Sequence, residues 1–143
     1  METISSFRGK HAFLSNFSHY PARFEGTDYP TAENAFQAAK TLNPMVRERF
    51  TEITPSEAKR LGRSVPLRQD WNRIRISVMT GIVRDKFTRN PELKRLLLAT
   101  GDAVLIEGNT WGDRFWGVDE RTGKGENHLG LILMDIREEL KNA

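Results

Sequence analysis

Glu33, Gln37 and Lys40 stand four and three residues apart in the run Tyr29-Pro30-Thr31-Ala32-Glu33-Asn34-Ala35-Phe36-Gln37-Ala38-Ala39-Lys40. On a helix this spacing makes a polar row, rotated about 100° from the apolar row of Ala32, Ala35, Phe36, Ala39 and Leu42. Glu33 and Lys40 would lie about 10 Å apart along the axis, too far to pair directly. They are placed to reach opposite ends of a sugar-sized ligand, with Gln37 between them. A carboxylate there suits stabilisation of a developing positive charge or activation of a water. The same residues also suit an ordinary amphipathic helix, with Glu33 in the first turn and Lys40 in the last because the helix dipole favours them there. Pattern alone favours that plainer reading.

A second concentration of chemistry-bearing residues lies in the polar stretch 107–127. Gly112-Asp113-Arg114-Phe115-Trp116-Gly117-Val118 sets an acid and two aromatics beside glycines, and Gly123, Gly125 and Asn127 allow close backbone approach. Loops of this kind carry function more often than regular elements do. Phe115 reads as a plug into the core, and Trp116 reads equally as plug or ligand contact. Trp71, beside arginines, has the form of a base-stacking residue, worth roughly 1–3 kcal/mol per base in single-strand binders. A core anchor beside Ile74 and Val78 is the better single reading for it.

Other chemistries lack their residues. There is no cysteine, hence no disulfide, thiol nucleophile or thiolate metal site. His11, His19 and His128 are scattered without metal-ligand spacing. No glycine-rich phosphate loop and no nucleophile elbow is present. Neither metal nor cofactor is expected.

The elements that must position these residues follow from turn and cap signals. Residues 11–28 read as short extended pieces, with a hairpin of Ala22-Arg23-Phe24 and Thr27-Asp28-Tyr29 around Glu25-Gly26. Thr31 is a good N-cap for the helix carrying Glu33. Asn43-Pro44 ends that run and opens a helix to about Ile53. Thr54-Pro55-Ser56-Glu57 is a capping box for a helix that ends at Gly62. Asp70 caps a helix from Trp71 to about Phe87, with Trp71, Ile74, Val78, Ile82 and Phe87 on one face. Asn90-Pro91 opens a helix that stops at Thr100-Gly101. Ala103 to Glu107 reads as a buried strand, and a last helix carries Leu129, Leu133, Ile136 and Leu140. The order predicts an α+β fold, a single compact domain over 1–143 that is mostly helical with a small β-sheet.

The chain has 143 residues, 38% hydrophobic and 29% charged, as expected of a soluble globular protein. No apolar run reaches membrane-spanning length, and residues 1–5 show no signal-peptide pattern, so a cytoplasmic location is expected. The net charge is +3, yet residues 47–95 hold thirteen Lys/Arg against six Asp/Glu. A basic segment of this kind suits phosphate-bearing ligands or nucleic acid, although many of its arginines must simply solvate helix faces.

Taken together, the motifs resemble those of the YbiA-like, or NADAR, family. The matching residues begin with Phe13-Leu14-Ser15-Asn16-Phe17, then Tyr29-Pro30-Thr31-Ala32-Glu33 with Phe36-Gln37-Ala38 and Lys40. They continue through Ala58-Lys59-Arg60-Leu61-Gly62-Arg63, Asp70-Trp71, Lys86-Phe87 and Leu96-Leu97-Leu98-Ala99-Thr100-Gly101. They close with Asp113, Phe115-Trp116-Gly117, Asn127, Leu129-Gly130 and Leu133-Met134-Asp135-Ile136-Arg137. The resemblance implies an N-glycosidase acting on ribose-linked bases. Some relatives hydrolyse phosphoribosylamino intermediates of riboflavin biosynthesis. Others are linked to NAD and ADP-ribose metabolism and remove ADP-ribose from guanine in nucleic acid, as antitoxins. Asp119 and Glu120 fall in a loop of variable length and are not carried over.

On this reading Glu33 stabilises charge at the anomeric carbon or activates water. Lys40 either binds a phosphate or attacks an opened ribose aldehyde to form a Schiff base. Asp113 holds ribose hydroxyls or protonates the leaving base. Trp71 or Trp116 stacks the base, with Asn16, Gln37, Gly117 and Asn127 as further substrate contacts and Arg63 and Arg75 as phosphate ligands. Two further expectations follow: Glu33 and Asp113 face one cleft, and the basic segment lends that cleft an arginine. The competing classes are a non-catalytic ADP-ribose or nucleotide binder and a nucleic-acid-binding module. The latter would show a steep salt dependence.

Overall fold

A computed structural model describes residues 2–143. The chain divides into two compact units, one of residues 16–89 and one formed by the chain up to Ser15 together with 90–143. The architecture is the expected α+β, with helices dominating and little strand, arranged as three short two-stranded pairs.

The unit of residues 16–89 opens with the expected hairpin. β1 is reserved for Thr3–Ile4 at the chain start, so the hairpin strands are β2 (Ala22–Phe24) and β3 (Thr27–Tyr29), paired antiparallel with Ala22 opposite Tyr29. Glu25 (φ 46°) and Gly26 (φ 86°) form the tight turn, whose left-handed backbone suits the twist of a two-residue hairpin. Helix α1 (Ala32–Ala38) follows, with Thr31 Oγ1 accepting from the Asn34 N–H. Its Asn34 side chain donates to Phe50 O (2.9 Å) and Ile53 O (2.8 Å), which ties α1 to the chain after α2 (Pro44–Arg49). Helix α3 (Pro55–Gly62) carries the complete capping box of Thr54 and Glu57, and α4 runs Trp71–Arg89.

The unit is built around α1. Helices α2, α3 and α4 and both hairpin strands pack on it, and all seven of its residues are buried. The alanines make this possible, because small side chains let neighbours approach closely on every side. The expected division into a buried stripe and an accessible flank is therefore replaced by a helix enclosed all round. Leu42, expected on the buried stripe, is 66% exposed because the helix ends four residues earlier. On α4 the buried face runs through Trp71, Met79, Ile82, Val83, Lys86 and Phe87, with Ile74 and Val78 only half-buried. Asp70 stands where α4 begins, its carbonyl accepting from Arg73 N and Ile74 N (both 3.1 Å), and its carboxylate is held bidentately by Arg68 (2.6 and 3.1 Å).

In the other unit, Gly9–Leu14 forms a 3-10 helix where short extended pieces were expected from residue 11. Strand β1 pairs parallel with β4 (Val104–Leu105), and β5 (Gly108–Asn109) pairs parallel with β6 (Val118–Asp119). Helices α5 (Pro91–Ala99) and α6 (His128–Lys141) pack together, burying Leu93 and Leu97 with Leu133, Ile136 and Leu140. Each buried leucine contributes about 1.5–3 kcal/mol of transfer free energy. Gly130 lets α6 approach β4, since a Cβ there would fall 2.1 Å from Leu105 O. Among the described residues, no helix is long and apolar enough to cross a membrane.

Candidate active site

Glu33 lies near the start of α1 and is 8% exposed; Gln37, one turn on, is 5% exposed. Gln37 Nε2 donates to Glu33 Oε2 at 2.6 Å, a charge-assisted bond that fixes the plane of the carboxylate. The Glu33 backbone N–H donates to Asn16 O (3.0 Å), so the segment before the hairpin holds the start of the helix. The Asn16 side chain turns into the core, with Nδ2 3.4 Å from Met79 Sδ.

Lys40 is not on the helix. It lies half-buried in the turn after Ala38, its N–H donating to Gln37 O (3.2 Å) and its carbonyl accepting from Arg68 N (2.8 Å). Burial lowers the Lys40 ammonium pKa. Glu33 opposes that shift, and Arg63 and Lys59 add to it. The carboxylate thus sits within electrostatic reach of an amine that burial biases toward its neutral, nucleophilic form. Arg63, at the C-cap of α3, is exposed, and Lys59 on the same helix lies with Nζ 5.9 Å from the centre of the Phe17 ring. Lys40, Lys59 and Arg63 make a small cationic group at one edge of a buried carboxylate. Lys59 went unsingled in the sequence because its nearness to Lys40 depends on how α3 packs on α1, which no local pattern encodes.

Trp71 is the core anchor. It is 5% exposed, with its ring 5.1 Å from that of Phe36, so it joins α4 to α1 and does not offer a face to a base. Arg75 is half-buried on α4. Lys86, a second residue the pattern left in the background, is almost wholly enclosed. Its Nζ donates to Ser18 Oγ (2.9 Å), and burial pulls its pKa down to about 7. A cavity of about 430 Å³ bounded by Glu25, Tyr29, Arg47 and Glu48 lies in this unit, but its lining does not include Glu33.

The 107–127 loop belongs to the other unit, and Asn109, Asp113 and Asn127 in it are engaged by main chain. Asn109, fully buried, accepts from Asp113 N (2.9 Å) and donates to Asp113 O (2.9 Å). Asp113 Oδ1 accepts from the N–H groups of Phe115 and Trp116, both at 3.0 Å. Asn127, with φ 55°, accepts from Glu107 N (3.0 Å) and donates to Leu105 O (2.9 Å). Both ends of the Asn127 amide are therefore engaged by the backbone. Phe115, Trp116 and His128 form a half-buried aromatic group, with Phe115 4.8 Å from Trp116 and 4.5 Å from His128. Gly117 is buried because nothing larger fits: a Cβ would lie 2.2 Å from Glu107 O. Among the described residues, no group of three or more His, Asp or Glu is placed to hold a metal.

The sequence profile of the NADAR domain matches residues 5–141. The chain belongs to the NADAR domain family. It is 43% identical over 130 residues to the N-glycosidase YbiA of Escherichia coli strain K12, covering 89% of this chain and 80% of that one. It is 42% identical over 134 residues to a riboflavin biosynthesis protein of Vibrio vulnificus, covering 92% of this chain and 36% of that longer one. The NMR structure of E. coli YbiA superposes with a TM-score of 0.86 at 38% identity, covering 99% of this chain and 88% of that one. The α+β architecture derived above is thus that of a NADAR domain.

Proposed function

We propose that this NADAR protein is an N-glycosidase that hydrolyses the ribose–nitrogen bond of a phosphorylated ribosylamino pyrimidine, an intermediate type of riboflavin biosynthesis. The observation that carries the reading is a buried carboxylate, Glu33, held by Gln37 Nε2 at 2.6 Å beside the half-buried amine of Lys40. The names of the relatives, N-glycosidase and riboflavin biosynthesis protein, favour the reaction and the substrate class. The protein acts on a small, ribose-linked nucleotide in the cytoplasm.

Breaking the bond between the anomeric carbon and nitrogen builds positive charge on the sugar. The Glu33 carboxylate, held in place, offsets that charge and accepts a proton from the attacking water. The water oxygen bonds to the anomeric carbon, the carbon–nitrogen bond breaks, and the amine leaves with a proton. Lys40 serves in one of two ways. As the ammonium it joins Lys59 and Arg63 in binding the substrate phosphate. As the neutral amine it attacks C1 of the ring-opened sugar, still joined to the base as an imine; the base leaves as its amine, taking the protons the lysine nitrogen gives up, and water then hydrolyses the lysine Schiff base to the ribose aldehyde.

Incubation with a phosphoribosylamino-pyrimidine and, separately, with ADP-ribosylated DNA, followed by mass spectrometry, tests the reading. Release of the free aminopyrimidine and ribose phosphate is expected. Turnover of the DNA alone would move the substrate to ADP-ribosyl guanine, and turnover of neither would remove the hydrolase assignment. Borohydride during turnover separates the two roles of Lys40: a trapped sugar adduct in the wild type, absent in Lys40→Ala, requires the Schiff base.

A further inference from the structure

Gly62 ends α3, which packs on α1. Glycine at a helix end usually supplies a left-handed residue. Gly62 does not: it is helical and is absent from the glycines with positive φ. Alanine would be the better helix former at this position. What the glycine provides is space. A Cβ built on it would lie 1.9 Å from Gln37 Oε1, 2.7 Å from Cδ and 3.2 Å from Cβ of the same residue. Gln37 Oε1 is itself buried without a hydrogen-bond partner, an unfavourable state for a carbonyl oxygen. The carboxamide therefore sits with one end engaged by Glu33 and the other pressed on the bare backbone of α3.

We infer that Gly62 is a positioning residue for Glu33: the missing side chain on α3 seats the Gln37 carboxamide so that Nε2 points at the Glu33 carboxylate and fixes its orientation. The inference rests on the reading of Glu33 as the reacting carboxylate. A fixed N–H donor bonds more strongly to a charged carboxylate than to a neutral one. The orphaned oxygen is the counterpart of this arrangement: turning the amide to satisfy Oε1 would withdraw the donor from Glu33.

Four variants test it: Gly62→Ala, Gln37→Met, Gln37→Ala and the double Gly62→Ala/Gln37→Ala. The Glu33 side-chain carboxyl is titrated by ¹³C NMR in each, and kcat and KM are measured on a phosphoribosylamino-pyrimidine. In Gly62→Ala and Gln37→Met the Glu33 midpoint moves up by about one unit. The acidic limb of kcat moves with it, and kcat falls roughly tenfold while KM changes little. In the Gln37→Ala background the carboxamide is gone and only the Cβ, 3.2 Å from the added methyl, remains, so the double variant stays close to Gln37→Ala alone. An unmoved midpoint and unchanged kcat in folded Gly62→Ala overturn the inference, as does a further loss in the double variant. Should Gly62→Ala fail to fold, Gln37→Met decides by the same two readouts. The titration does not use turnover, so a moved midpoint together with full activity in Glu33→Gln would retain the seat and reject Glu33 as the reacting group.

Discussion

Helix α1 and the 107–127 loop look alike in sequence, each a cluster of polar residues set among small or aromatic ones. Their polar groups behave differently. In the loop, Asn109, Asp113 and Asn127 bond to main-chain groups that no regular element serves. On α1 Asn34 takes the same part, donating to Phe50 O and Ile53 O, whereas Gln37 Nε2 donates to the Glu33 carboxylate. A polar residue in an irregular segment has a structural task by default, since buried backbone groups must find partners. A buried carboxylate on an alanine-rich helix is expensive to enclose, which makes it the stronger functional candidate.

The largest effect expected from this contrast is on turnover. Glu33→Gln keeps an oxygen that can accept from Gln37 Nε2 but removes the charge, and Lys40→Ala removes the amine from a turn. Each should keep the fold and lower kcat by roughly 100-fold or more, the scale of losing a general base or an electrostatic stabiliser. Normal turnover in both would place the chemistry outside α1 and break the comparison.

Lys86 sharpens it from another side, as a buried charge in the α1 unit whose setting adjusts its ionisation. Its folded pKa is near 7, lowered from 10.5 by burial. The unfolded chain therefore binds the extra proton between these values, and stability rises with pH across that window, by up to about 1.4 kcal/mol per unit. Urea unfolding at pH 7 and pH 9 should show a gain on the order of 2 kcal/mol in the wild type, largely missing in Lys86→Met. Equal pH dependence in both would mean that Lys86 keeps its proton in the folded state.

Asn127 tests the loop. Its Ala variant loses two backbone hydrogen bonds and the short polar side chain that lets asparagine tolerate a left-handed backbone, a destabilisation of about 2–3 kcal/mol. Asn127→Gly keeps the backbone conformation and loses only the bonds, so it should fall between the two. Activity per folded molecule is expected to stay within about threefold in both. A stable Asn127→Gly that has lost kcat would show the amide acting on substrate.

The parts of this fold that were legible in sequence are those fixed by neighbours along the chain. The Glu25-Gly26 turn, the Thr31 cap, the capping box of Thr54 and Glu57, and the Asn-Pro helix starts all formed where their residues predict. The parts that were not legible depend on packing. Periodicity placed Glu33 and Gln37 on an accessible flank, whereas helices arriving from three directions enclosed it. Spacing puts Lys40 in the last turn of α1, but the helix stops at Ala38 and the lysine feels the charge of the carboxylate from a turn. Gly62 carried a helix-end signal that is true of its position and silent about its purpose. Lys86 reads as a solvated charge because nothing local reports that α4 buries it.

The smallest expected effect, and the finest test of the contrast, is at Asp113. One of its oxygens accepts from two consecutive backbone N–H groups, at Phe115 and Trp116. Asparagine keeps an acceptor at that position, so Asp113→Asn should retain the turn and cost less than about 0.5 kcal/mol, whereas Asp113→Ala loses both bonds and about 1–2 kcal/mol. If the loop is structural in the way its hydrogen bonds indicate, kcat in Asp113→Asn stays within about threefold of wild type, because only an unneeded charge has gone. If the carboxylate instead protonates the leaving base, the same change removes the acid and kcat falls roughly 100-fold with stability unchanged. The pair of variants therefore separates the two tasks within one side chain: a stable, slow Asp113→Asn assigns chemistry to the loop, while a stable, fast Asp113→Asn beside an unstable Asp113→Ala assigns it shape alone.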